Sequence, residues 1–159
     1  MLNREKFNEI KEWFENIGDT STCSNKTKII FLLSNIIYFI PILIYGVNVL
    51  TITITMIGLI SLLFHSCQCH NVKSKASIRT FYLDVFICPL LVLLIIIKYN
   101  KIIPSWWYLG LLISLGFFAS GTNDRGPIGY IILHSLWHIM TGLLLLFVAY
   151  SSKKIEKLN

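Results

Sequence analysis

Five apolar runs, at residues 29–46, 49–67, 78–97, 102–120 and 128–149, constrain this chain more than any other feature. Each approaches the roughly 20 residues that a helix needs to cross a bilayer. Only 14% of the 159 residues are charged, against 55% hydrophobic, and a soluble domain of this length would expose far more charge. The apolar residues fall in blocks rather than at amphipathic spacing. The predicted fold is all-α: a polytopic transmembrane helical bundle of about five spans, occupying residues 29–150. A polar N-terminal segment (1–28) precedes it, and a basic C-terminal tail (151–159) follows.

The connections fit this division. Gly46 and Asn48 mark a tight hairpin between the first two runs, while "CHNVKSKASIR", "KYNKI" and "SGTNDRGPIG" separate the others. Pro41 and Pro89 fall within spans, where membrane helices tolerate proline if neighbours satisfy the freed carbonyl. Trp106–Tyr108 have the composition of an interfacial aromatic belt. Residues 1–27 lack the short apolar core and cleavage site of a signal peptide, so the first span is expected to serve as signal-anchor. Phe7, Ile10, Trp13 and Phe14 have the spacing of a short amphipathic helix lying on the membrane.

With the N-terminus cytoplasmic, that side carries Lys or Arg at nine positions (4, 6, 11, 26, 28, 73, 75, 79 and 125). The other side carries five (98, 101, 153, 154 and 157), so the positive-inside rule favours this orientation. The formal charge of +6 is spread over loops and tails, and reads as topology information and attraction to anionic headgroups. No nucleic-acid motif accompanies it. Cys23, Cys67, Cys69 and Cys88 have no spacing that demands disulfides, and the lone C-x-C before His70 is too short a pattern to define a metal site.

Ionisable residues inside spans cost roughly 2.5–3.5 kcal/mol or more and usually mark function. Asp84 is the only acid within a run, and His65, His134 and His138 are three of the four histidines. Ser61 and His65 are four residues apart, as are His134 and His138, so each pair shares a helix face. With five alternating spans, the second ends on the side where the third and fifth begin. At ~1.5 Å per residue, Asp84 and His134 then lie roughly 9–10 Å inside one boundary. His65 reaches the same depth if the second helix continues a turn past Cys67. All five polar residues are therefore expected to meet near one membrane face.

Three neutral imidazoles suit zinc and leave a fourth tetrahedral position open. Zinc lowers the pKa of water to about 7 and so provides hydroxide at neutral pH. Asp84 has the chemistry of a general base and acid. Ser61 is suited to hydrogen-bond the water or an oxyanion, and no G-x-S-x-G elbow makes it a nucleophile. The alternatives are a bis-histidine haem, which leaves one histidine and Asp84 without a role, and a transporter, for which paired broken half-helices are lacking.

S-x-x-x-H in an early span, Asp in the next and H-x-x-x-H in the last resemble the CREST superfamily of membrane hydrolases. Its members include alkaline ceramidases, adiponectin and progestin receptors, and myomaker-like proteins. "LLSNIIYFIP" is similar to the S-N-x-x-F-x-x-P stretch that opens ceramidases and myomaker-like proteins, and "LHSLWHIMTGL" resembles segments of both. The resemblance implies zinc held by His65, His134 and His138, with Ser61 and Asp84 as catalytic polar partners. It implies a zinc-dependent hydrolase of a lipid amide, ceramide-like, in an endomembrane of the ER/Golgi type if the host is eukaryotic or viral. The alternative is a non-enzymatic myomaker-like protein with a structural zinc. The interval from His65 to Asp84, and Cys67 two residues after the histidine, look more like the myomaker-like branch. Glu12, Trp13, Glu15, Asn16 and Asp19 resemble the N-terminal calcium site of alkaline ceramidases only loosely, with spacing off by one. These relatives usually have seven spans. The shorter chain retains the parity that assembles the site but has less wall around a lipid, so either the pocket opens to the bilayer or a second copy closes it.

Overall fold

The computed structural model describes Glu12, residues 20–121 and residues 126–157. Trp13, Glu15, Asn16 and Asp19, together with the remainder of the N-terminal amphipathic pattern, lie outside the described residues. Those described form an all-helical membrane bundle with four helices long and apolar enough to cross a bilayer, Asn25–Tyr45, Val49–Asn71, Lys75–Ile102 and Gly126–Glu156. The run at 102–120 folds as Ser105–Gly121, 17 residues and the shortest of the five. Pro104 stands just before its first turn and Gly121 at its last residue, so the helix sits at the lower limit of spanning length.

The first span is composite. Helix α1 (Asn25–Leu33) starts at Ser24, whose side chain accepts a hydrogen bond from the Thr27 amide. A 3₁₀ stretch, Ser34–Phe39, follows, then α2 (Ile40–Tyr45) with Pro41 in its first turn. Proline cannot donate to the carbonyl one turn back, and its ring crowds that carbonyl. The tighter winding upstream of Pro41 turns Ser34, Asn35 and Tyr38 into the protein. Gly46 (φ 74°) ends α2 in the left-handed region that glycine tolerates best. Two residues later, Asn48 and Thr51 form a reciprocal capping box that starts α3 (Val49–Asn71). The predicted hairpin is therefore a glycine stop followed at once by a capped start.

Helix α4 (Lys75–Tyr99) is capped by Ser74 and continues unbroken through Pro89. A short 3₁₀ turn, Asn100–Ile102, leads to α5 (Ser105–Gly121), and α6 (Gly126–Glu156) completes the bundle. Helix α6 absorbs most of the expected C-terminal tail. Lys153 and Lys154 sit in its last turn, where cations complement the helix dipole, and Lys153 pairs with Glu156 at 2.8 Å.

The most extensive helix pairings are α5 on α6 and α3 on α4, and the first span lies against both α3 and α6. Glycines permit that approach. A Cβ on Gly58 would fall 2.6 Å from the Tyr38 Cβ, and one on Gly142 would collide with Ile37. Small residues at such crossings let membrane helices pack closely where no hydrophobic driving force operates.

One end of the bundle is an apolar core of Tyr38, Ile54, Ile95, Trp107, Leu145 and Val148 among others. Trp107 belongs to this core rather than to an interfacial belt. Its indole N–H donates to the Leu144 carbonyl at 2.8 Å and it is 1% exposed, while its neighbours Trp106 and Tyr108 face outward. On α4 the residues Phe81, Asp84, Cys88, Leu91 and Ile95 repeat every three or four positions and are covered at least in part. Leu83, Phe86, Leu90, Leu94 and Ile97 face outward, as a lipid-facing stripe must.

Candidate metal centre

The other end of the bundle holds the polar residues. Helix α3 continues to Asn71, a turn beyond Cys67, which places His65 inside the bundle at 0% exposure. Helix α6 presents His134 and His138 one turn apart on its buried face. The three imidazoles converge, with ligand-type nitrogens all within 4.8 Å of one another and ring centroids 4.8 to 4.9 Å apart. Among the described residues, this is the one group of three or more histidine, cysteine or acidic side chains arranged to hold a metal ion.

One pair of donors has the spacing of two ligands on a tetrahedral ion. His65 Nε2 and His138 Nε2 are 3.2 Å apart. Two nitrogens bonded to one tetrahedral zinc at 2.0–2.1 Å lie about 3.3–3.4 Å from each other. Opposite axial ligands with similar bond lengths would be about 4 Å apart, so the pair is too close for the haem arrangement. His134 adds a second sign. It is 4% exposed, and neither ring nitrogen has a hydrogen-bond partner. Buried polar atoms in native proteins are nearly always satisfied, and a metal ion would satisfy one of these.

Ser61, one turn before His65 on α3, is buried with its hydroxyl 3.3 Å from His138 Nε2. The Asp84 carboxylate on α4 lies near that serine and accepts from the Cys88 thiol, whose sulfur is 3.4 Å from Oδ1. Ser61 thus adjoins the imidazoles, with the carboxylate nearby. The structure brings together all five residues singled out from the sequence: His65, His134 and His138 as a cluster, Ser61 against it, and Asp84 near Ser61.

Four further residues complete the surroundings. Gln68 lies 2.8 Å from His65 Nδ1 through its carbonyl oxygen, and its amide donates to the Tyr130 hydroxyl at 3.1 Å. Ser34 lies 2.9 Å from His138 Nδ1 and donates to the Phe31 carbonyl at 2.6 Å. The Phe31 ring touches all three imidazoles, with centroid distances of 4.4, 5.7 and 6.0 Å to His65, His134 and His138. Gln68 carried a readable signal, since it is three residues from His65 and so on the same helix face. Ser34 did not, because the contact joins residues 104 positions apart.

Cys69 packs beside Cys23, Phe31 and Tyr130, outside the histidine cluster, and none of the four cysteines is in a disulfide. Compared with models of protein families, with curated proteins and with solved structures, the chain matches none.

Proposed function

We propose that this protein is a zinc-dependent intramembrane hydrolase of a lipid amide, ceramide-like in its chemistry. The observation that carries the reading is the grouping of three imidazoles with the Ser61 hydroxyl against them and the Asp84 carboxylate near that serine. A metal-binding cluster alone would be compatible with a brace. A hydroxyl and a carboxylate arranged beside it add the groups that hydrolysis needs.

His65, His134 and His138 would hold zinc, which when bound would supply Lewis acidity and a nucleophile at neutral pH. Asp84 takes a proton from the attacking water and returns it to the amide nitrogen as the C–N bond breaks. The water oxygen remains on the carbonyl carbon, so the products are a fatty acid and a free amine. Ser61 donates a hydrogen bond to the oxygen on which negative charge develops, which positions the amide and stabilises the transition state. The acyl chain lies among the Leu-, Ile- and Phe-rich helix faces. A second copy of the chain would close the side of the bundle where α4 packs chiefly on α3.

A second reading has its own support. Helices α3 and α6 meet directly over only a short stretch, so a metal shared between His65 and the α6 pair would tie them together. On that reading the ion is structural and the protein acts in membrane remodelling without turnover. Purified protein is tested for zinc and for ceramide hydrolysis by mass spectrometry, beside His138→Ala and Asp84→Asn. The hydrolase reading expects the first variant to lose both zinc and turnover, and the second to keep zinc and lose turnover. Intact hydrolysis in His138→Ala would end it.

A further inference from the structure

We infer that Gln68 and Ser34 are positioning residues that fix the tautomers of His65 and His138, so that both present Nε2 to the metal. The inference rests on the metal-binding part of the proposed function and goes beyond it to residues outside the ligand set.

Hydrogen bookkeeping leads there. Ser34 has one hydroxyl hydrogen and directs it to the Phe31 carbonyl at 2.6 Å. Toward His138 Nδ1, 2.9 Å away, that hydroxyl can therefore only accept. His138 must carry its proton on Nδ1, which leaves the Nε2 lone pair free. Gln68 gives the same result by another route. Its amide group donates to the Tyr130 hydroxyl at 3.1 Å, and its carbonyl oxygen faces His65 Nδ1 at 2.8 Å. An acceptor there requires a proton on Nδ1 and again frees Nε2.

Two Nε2 lone pairs then point at each other across 3.2 Å with no proton between them. A cation shared between them turns that repulsion into attraction. The orienting partners come from separate places: Gln68 from the same helix as His65 but tied to Tyr130 on α6, and Ser34 from the first span, which supplies no ligand. Hydrogen-bond partners of this kind fix ring orientation and raise ligand basicity, and losing one typically lowers metal affinity 10–100-fold.

The test measures zinc affinity by chelator competition in detergent for wild type, Gln68→Leu, Gln68→Glu and Ser34→Ala. Gln68→Leu and Ser34→Ala are expected to bind about 10–100-fold more weakly. Gln68→Glu keeps an acceptor toward His65 and is expected to retain wild-type affinity, whereas Gln68→Leu keeps apolar bulk without an acceptor and is not. Should a variant fail to fold, ¹⁵N spectra of the histidine rings in zinc-loaded wild type decide the matter. Protons on Nδ1 of His65 and His138 are expected. A proton on Nε2 of either overturns the inference, as does unchanged affinity in Gln68→Leu and Ser34→Ala. A zinc-loaded protein with Nδ1 protonated but no turnover retires the hydrolase and leaves this assignment standing. Wild type that takes up no zinc overturns both.

Discussion

The Phe31 ring lies nearly parallel to the His138 imidazole, at an interplanar angle of 11° and a centroid distance of 6.0 Å. Fully buried on α1, it also meets His65 and His134, so one apolar side chain from a helix without ligands covers the whole cluster. Phe31→Ala removes that cover. Truncating a buried phenylalanine costs about 3–5 kcal/mol in soluble cores. The variant is expected to unfold at clearly lower temperature and to exchange zinc faster, with Phe31→Leu in between. Thermal melts and chelator-release rates measure both.

Metal removal should destabilise the fold. A ligand that binds only the folded state adds about 4 kcal/mol at a free concentration 1,000 times its dissociation constant. Zinc-loaded protein is expected to melt well above the chelator-treated form, and His65→Ala should show no such difference. Comparing melts with and without added zinc checks this, whether or not the protein turns over lipid.

Asp84→Asn keeps the shape of the side chain and removes its basicity. The hydrolase reading expects a fall in turnover of about 10²–10⁴-fold, the usual contribution of a general acid–base group. Zinc content should remain at the wild-type level, because the group that could hold the ion comprises histidines alone. Ceramide turnover and metal content, measured on one preparation, give the answer.

Gly142→Val places a branched side chain where even a Cβ collides with Ile37. Overpacking of this kind typically costs about 1–3 kcal/mol. Gly116→Ala on α5 is the control, since its Cβ would meet nothing within 4 Å. Melting temperatures should fall for the first and hold for the second.

Much of this arrangement was legible in the sequence because its signals are local. Apolar runs show where helices lie, and four-residue spacing puts Ser61 with His65 and His134 with His138 on shared faces. Counting spans brings the second, third and last helices to one side with their polar residues. What escaped that reading depends on contacts between distant segments. Ser34 became part of the site because the turns before Pro41 are wound as 3₁₀ helix, and apolar periodicity says nothing about winding. Trp107 resembled a headgroup anchor until the Leu144 carbonyl, 37 residues away, provided for its N–H. The run at 102–120 forms the shortest of the five apolar spans because Pro104 sets its start, while α6 runs on through lysines that counting apolar residues had assigned to a tail.

The division of ligands between α3 and α6 has a consequence for biogenesis. Two of the three imidazoles reside on α6, so a nascent chain holds only His65 of the cluster until that helix has been made. An ion shared by all three imidazoles would therefore be captured only once α6 is inserted. A chain cut short before α6 would leave His65 without either of the imidazoles it meets in the folded bundle.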